Sequence, residues 1–210
     1  MFGIGFYTTL YRNTNTMPIY FDLESVRSQN NCVNYFETGT FDARHNIACK
    51  QAIDCGFTKV YTLDIVPEFG KFILPTYYTQ RVATGSVVCI TDDAVNIGAH
   101  LGGADFAERT LFYLDSYNSE TDTPYPTAKH CPVLEELNGI AGAARKDHVI
   151  CINDVKTLRQ PYPYGETSYG DINFEERAKE IILTINPAYQ FSYLQGEVAD
   201  DVLMATVPDA

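Results

Sequence analysis

From Val33 onward, short apolar runs alternate with amphipathic or capped segments, and this alternation limits the folds open to the chain. Val33 to Glu37, Val60 to Asp64, Ser86 to Ile90, Thr110 to Asp115 and Val149 to Asp154 read as strands. The last has a continuous apolar run, as expected of a strand buried on both faces. Between them, Asn46 to Cys55 reads as a helix, with Gly56 at the left-handed position that ends helices. Pro67 to Ala83 reads as partly helical and Ala94 to Leu101 as a weak helix. Pro132 opens a further helix at its first position, where a missing N–H costs nothing. Leu134, Leu137 and Ile140 follow at helical spacing. Asn173, with Glu176 three residues on, caps a helix whose stripe is Phe174, Ala178, Ile181, Ile182 and Ile185. Pro187 prevents its extension. Gln190 to Leu194 and Val202 to Thr206 read as an antiparallel pair around Gly196.

Strand and helix alternating in this way predict an α/β, Rossmann-like domain. Its seven-stranded, mainly parallel sheet carries helices on both faces and a C-terminal antiparallel strand pair. No internal repeat and no linker divides it. Residues 32–210 form the domain, and residues 1–31 form an extension packed on or beside it, with a loop at Asn13 to Thr16. At 210 residues and 45% apolar content, one full hydrophobic core is within reach.

The formal net charge is −12. That disfavours electrostatic binding to nucleic acid or to an anionic membrane, and suits a small-molecule substrate. The start of the chain lacks the basic and apolar segments of a signal peptide, and no stretch is long enough to span a bilayer. The six cysteines contain no C-x-x-C pair, and Cys89 and Cys151 lie in strand-like runs. Reduced, structural thiols in a cytoplasmic protein are the expectation. Sequence does not separate a buried strand from a subunit interface, so a monomer and a homodimer are both compatible with it.

In open parallel sheets ligands bind beyond the carboxyl ends of the strands. Acidic residues stand at five such ends: Glu37, Asp64, Asp92, Asp115 and Asp154. Any one of them alone reads as a helix cap or a solvated side chain; five together point to a site. A carboxylate ending the second strand is placed to accept bonds from both hydroxyls of a ribose. Gly39, in the turn after the first strand, lets backbone approach a ligand closely. The G-x-G-x-x-G fingerprint is absent, which argues against a pyrophosphate cofactor and a nicotinamide-dependent oxidoreductase.

The segment Glu37-Thr38-Gly39-Thr40-Phe41-Asp42-Ala43 is similar to the first motif of class I S-adenosylmethionine-dependent methyltransferases. Over Tyr35 to Thr206 the chain resembles the FkbM-like and related sugar or macrolide O-methyltransferase group. The resemblance is carried by YFETGTFDARHNIACKQAIDCGFTKVYTLDI, TLFYLDS, CPVLEELNGI, HVICINDVKTL and EIILTINPAYQFSYLQGEVADDVLMA. It implies S-adenosylmethionine as cofactor and a small hydroxylated acceptor. Glu37 and Gly39 would meet the methionine part, Asp64 the ribose and Asp92 the adenine side. Thr38, Thr40, Phe41, Ile65, Asp93 and Asp115 would complete the cofactor set.

Three departures bear on catalysis. Ala43 stands where relatives often have glycine, Ser116-Tyr117 follows Asp115 where many have Ala-His, and Asn153-Asp154 replaces Asp-Asp. Asp115 is therefore the expected catalytic residue, acting directly or through a metal. Asp115, Asn153 and Asp154 form a hard-oxygen set suited to Mg²⁺, similar to that of metal-dependent O-methyltransferases. The bland reading has Asp115 holding an amine and Asn153 capping a turn. A protein that keeps the fold as a binding or regulatory module without turnover is the alternative. His45 could face the pocket but reads better as a surface residue, and His130 and His148 flank a helix. The loop Gln160 to Asp171, with Tyr162, Tyr164 and Tyr169, reads equally as an aromatic lid and as an ordinary loop.

Overall fold

A computed structural model describes residues 18–41, 47–70, 74–117, 129–159 and 172–208. Expectations for Asn13 to Thr16, Asp42, Ala43, His45, Asn46 and the loop Gln160 to Asp171 lie outside the described residues. The elements in chain order are α1 (Leu23–Gln29), β1 (Asn34–Thr38), α2 (Ala48–Asp54), β2 (Lys59–Asp64), α3 (Leu74–Ala83) and β3 (Val87–Thr91). They continue with β4 (Thr110–Leu114), α4 (Val133–Ala141), β5 (Val149–Ile152), α5 (Val155–Leu158), α6 (Phe174–Ile185), β6 (Gln190–Leu194) and β7 (Val202–Thr206). Two 3-10 helices, Ala94–His100 and Ala104–Ala107, lie between β3 and β4.

The strands form one seven-stranded sheet in the order β3-β2-β1-β4-β5-β7-β6. β1 pairs in parallel with both β2 and β4, and β7 pairs antiparallel with β5 and β6. The α/β expectation, with its antiparallel C-terminal pair, is the fold observed. The weak helix after β3 is a 3-10 helix, and Pro132 is the N-cap of α4 rather than its first helical residue. Of the ambiguous stretch, Leu74–Ala83 is α-helical. Gly56 does end the α2 segment at φ +81°, and Asn173 caps α6 by accepting from the Glu176 N–H at 3.1 Å.

Because side chains alternate across a strand, the sheet divides the interior into two cores. Phe36, Phe112, Leu114, Ile150 and Ile152 face one side, against α4, α6 and the Ala94–His100 helix. Tyr35, Val60, Leu111, Tyr113, Val149 and Cys151 face the other, against α1 and α2. The Phe36 ring lies 5.6 Å from Tyr61 and 5.7 Å from Phe112, and these contacts bind the three central strands on that face. The segment before β1 is held to the second core by buried Ile19, Leu23 and Val26. Gln51 of α2 clasps it further, accepting from Ile19 N at 2.7 Å and donating to Ile19 O at 2.9 Å.

α4 and the Ala94–His100 helix cross at a pair of glycines. A Cβ on Gly139 would lie 2.7 Å from Ile97 Cγ2 and 2.8 Å from Gly98 N. Gly139→Ala should therefore destabilise the fold by about 1–3 kcal/mol through overpacking. Gly102→Ala, where nothing lies within 4 Å, is the control. Chemical denaturation of both variants checks this; equal midpoints would contradict it.

Candidate functional site

The chain leaves β1 toward β2 and β3, then returns to the other side of β1 as β4. The connections therefore diverge at the carboxyl ends of β1 and β4, where such sheets open a crevice. Gly39 lies at that point with φ +83°, and its N–H donates to Leu63 O at 2.8 Å. A Cβ there would sit 2.2 Å from the Asp115 carbonyl oxygen. Glycine is thus required twice, by the left-handed backbone and by the close approach to β4's end.

Asp64, ending β2, organises the loops on either side. One carboxylate oxygen accepts from Phe41 N at 2.9 Å and the other from Val66 N at 2.8 Å. Phe41 has φ +50°, and its ring packs against Phe69 at 5.5 Å. Burial raises the Asp64 carboxyl above its ordinary range, although bonds from Val66, Phe41 and Ile65 oppose the shift. The side chain is half-buried, and each oxygen has a second lone pair for a ligand hydroxyl.

Glu37 takes a different place from the one expected. It is buried, accepting from Thr62 Oγ1 at 2.6 Å and from the Tyr35 hydroxyl at 3.0 Å, with Cys49 of α2 also bonded. Thr62 Oγ1 in turn lies 2.5 Å from Thr40 Oγ1. Glu37 therefore braces the Thr38–Phe41 turn from beneath, through a chain of hydroxyls. Burial pushes its carboxyl up to about 7 against those bonds.

At the end of β3, Asp92 accepts from Asn96 Nδ2 and pairs with His100 Nε2, both at 2.8 Å. Burial raises its carboxyl, but these bonds outweigh burial and hold it below the ordinary range. Asp93 caps the following helix at Val95 N, 3.2 Å away. Both acids thus organise the segment that follows β3.

Asp115 and Asn153 meet at the ends of β4 and β5, with Asn153 Nδ2 donating to Asp115 Oδ1 at 3.0 Å. The Asp115 N–H points to Thr38 Oγ1 at 3.4 Å, tying β4's end to β1's. Asp154 follows as the N-cap residue of α5 with a left-handed backbone, φ +53°, and its side chain makes no capping bond. Asp201 serves that helix instead, through Val155 N to its carbonyl at 3.0 Å and Lys156 N to its Oδ1 at 2.9 Å. Asp154 is thereby free to remain beside Asp115. Burial, then the Asp154 charge, raises the Asp115 carboxyl well above its usual range. Burial, then Asp201 and Glu197, raises Asp154 to about 6. Each carboxyl is thus pushed toward its neutral form, mainly by burial.

Of the expected Mg²⁺ set, Asp115 and Asn153 come together. Among the described residues no group of three or more His, Cys, Asp or Glu side chains could hold a metal ion. Asn153 turns its N–H₂ toward Asp115, whereas metal ligation needs its oxygen. His148 lies at the opposite end of β5, where its Nδ1 accepts from Thr110 N at 3.1 Å. Burial, assisted by Arg145, lowers that imidazole to about 4. None of the six cysteines is in a disulfide.

Sequence reading missed Ser116 and Glu136. Ser116 Oγ donates to Glu136 Oε1 at 2.8 Å, and the Thr38 hydroxyl also favours the ionised Glu136 carboxyl. Glu136 has no exposed surface. Its signal lay in the spacing: the buried residues of α4 are Val133, Glu136, Leu137 and Ile140, so this acid occupies the apolar stripe.

The buried acids give a pH signature. Glu37 ionises near 4.5 in an ordinary setting and near 7 when folded. The folded chain thus holds the extra proton between those values, and this group's stabilising contribution falls as pH rises across that window. Glu37→Gln removes the effect, so the variant should gain stability relative to wild type between pH 5 and pH 8, by on the order of 2 kcal/mol. Urea unfolding at the two pH values measures this; a constant difference would contradict it.

No family model matches the chain, and no curated protein does. Solved structures do. The O-methyltransferase TomG of Streptomyces achromogenes, involved in tomaymycin synthesis and solved with S-adenosylmethionine, superposes with a TM-score of 0.58 at 13% identity, over 89% of this chain and 78% of that one. An O-methyltransferase of Bacillus cereus, solved with S-adenosylhomocysteine, gives 0.57 at 14% identity over 88% and 78%. Spermidine synthase of Thermotoga maritima gives 0.51 at 11% identity, over 90% of this chain and 58% of its own. Across these distant sequences the common property is the architecture, and this chain has the Rossmann-like methyltransferase fold.

Proposed function

We propose that the chain is an S-adenosylmethionine-dependent O-methyltransferase acting on a small hydroxylated acceptor, such as a sugar or related metabolite. The observation that carries this reading is the cradle at the β1/β4 crevice. Gly39 touches the backbone of Asp115, and Asp64 gathers the loops on either side of it. The cradle lacks the glycine-rich turn of a pyrophosphate site and offers a carboxylate where ribose hydroxyls would lie. Fold neighbours solved with this cofactor or its product support the reading, as does the motif resemblance from Glu37 to Asp64. The acidity of the chain and its lack, among the described residues, of a helix long and apolar enough to cross a membrane are compatible with it.

When bound, S-adenosylmethionine supplies an electrophilic methyl group. The protein's own part is to hold and align. The Gly39–Phe41 turn and Asp64 would hold the nucleoside, with the Asp92–Asp93 segment on its adenine side. Asp115 receives the acceptor hydroxyl. Its carboxyl, in the field of Asp154, can orient that hydroxyl and take its proton when ionised. Alignment of this kind supplies most of what an in-line methyl displacement needs.

Calorimetry should show binding of S-adenosylmethionine or S-adenosylhomocysteine and none of NAD. Asp64→Ala should weaken that binding at least tenfold, since lost bonds to a charged group are worth about 1.5–3 kcal/mol. Absence of heat with both nucleosides would overturn the reading. Asp115→Asn should abolish methyl transfer to sugars, catechols or other hydroxylated acceptors while cofactor affinity stays within about threefold. Turnover at the wild-type rate would remove Asp115 from the catalytic centre. Tight cofactor binding without transfer to any acceptor would favour a binding or regulatory protein that has kept the fold.

A further inference from the structure

Glu136 is a polar anomaly at the floor of the crevice. It lies in the first turn of α4 with no exposed surface. Oε1 accepts from Ser116 Oγ at 2.8 Å, and Oε2 is buried without any hydrogen-bond partner. A buried carboxylate oxygen left unpaired is costly, and native structures that keep one have a reason for it. The Ser116 that donates to it stands next to Asp115, and the Thr38 hydroxyl, between Glu37 and Gly39 of the cradle, favours its ionised form.

The groups acting on Glu136 most strongly are hydroxyls and acids. Ser116 after β4 bonds to it, and Thr38 of β1 favours its ionised form. Glu135 of its own helix and Asp93, which caps the Ala94–His100 helix, repel its charge. Asp115 feels the Glu136 charge, as does the Tyr117 hydroxyl. Among the described residues, none of the groups that act on it most strongly is positive, so its ionised form calls for a positive partner. A ligand seated over Thr38, Gly39 and Asp115 is placed to bring one.

We propose that Glu136 is the counter-charge for a cationic ligand in this crevice, and that it makes the site prefer the sulfonium of S-adenosylmethionine to the neutral thioether of S-adenosylhomocysteine. The inference rests on the cofactor reading above. The sulfonium and thioether forms share nucleoside, ammonium and carboxylate groups and differ at sulfur by the methyl group and one positive charge. A nearby carboxylate favours the charged member of that pair, so the substrate form is held and the product form released. Burial raises Glu136 to about 7, so the preference strengthens as pH rises through neutrality and the carboxylate ionises. Glu136 acts here as a positioning and charge-matching residue and takes no part in bond making.

Calorimetric titration of wild type and Glu136→Gln with the two cofactor forms, at pH 6 and pH 8, tests this. The ratio of the two dissociation constants in wild type, relative to that in Glu136→Gln, should rise about tenfold from pH 6 to pH 8, the change that one pKa unit of coupling produces. Comparing the proteins at each pH cancels the ligands' own titration and that of Asp115 and Asp154. Ser116→Ala removes a bond that favours the ionised form, and should move the onset of the preference to higher pH. This variant also serves if Glu136→Gln fails to fold. If both variants weaken the two forms equally at both pH values, Glu136 is a structural residue or reads the shared ammonium, and the inference is overturned. If neither form binds wild type, the methyltransferase reading fails and the inference falls with it.

Discussion

The pairing of β4 with β1 is the contact on which the rest of the molecule depends. It brings the chain back across the first strand after β3, so β1 lies in the interior with parallel neighbours on both sides. All five residues of β1 and all five of β4 are buried. Register then places Thr38 beside Leu114, and Gly39 next to the Asp115 backbone. Those positions are fixed by two cores and a ladder, so the crevice between the strand ends inherits the rigidity of the sheet. Loops that carry Phe41 and Asp154 in left-handed conformations can persist there because the surroundings hold them.

The two ends of the sheet differ in how their polar groups are met. At the amino end, Arg109 is buried and donates to the carbonyls of Asp147 and Val207. The His148 carbonyl nearby takes the Tyr189 hydroxyl at 2.7 Å. At the carboxyl end Glu37, Asp115, Glu136 and Asp154 are all pushed toward their neutral forms by burial. Carboxyls in an interior without enough opposite charge raise their pKa values rather than stay ionised. The amino end reads as scaffold. The carboxyl end, among the described residues, gathers buried carboxyls, the condition on which the proposed cation preference rests.

The fold was legible because its signals are local and repeated. Each strand is a short β-branched or aromatic run, and each main helix has a cap, a stripe or a stop. Asn173 and Gly56 act as their chemistry requires. The antiparallel last pair followed from two alternating runs around Gly196. The short segments were less legible, since seven residues at Ala94–His100 do not distinguish a 3-10 from an α period. At the site, sequence gives the strand-end position of an acid but not the direction of its side chain. Glu37 and Asp64 look equivalent by that criterion. Glu37 follows the alternation of β1 to the same side as Tyr35 and is buried beside α2, whereas Asp64 turns outward to the loops. Asn153 was expected to offer oxygen, and which end of an amide faces a neighbour is set by tertiary contacts alone. Glu136 was hidden because two adjacent glutamates in a first turn look like a solvated, dipole-favoured pair.

That last case has a general physical content. A glutamate at a stripe position of an amphipathic helix either turns away to water or is buried with its charge problem unsolved. Here Val133 and Leu137, with Ile140 a turn further on, hold α4 against the sheet too firmly for Glu136 to leave. The Gly98–Gly139 contact brings the neighbouring helix equally close on the other side. The packing that makes α4 stable therefore confines a carboxyl beneath Thr38 and Ser116. Replacing it by an apolar residue would be the simpler way to strengthen the fold, since buried charged groups are often worth less than their apolar substitutes. A site that must distinguish a charged ligand from an uncharged one of nearly the same shape has little besides charge to work with. A carboxyl that ionises near neutrality, held one hydrogen bond below the crevice, can make that distinction at the expense of some stability.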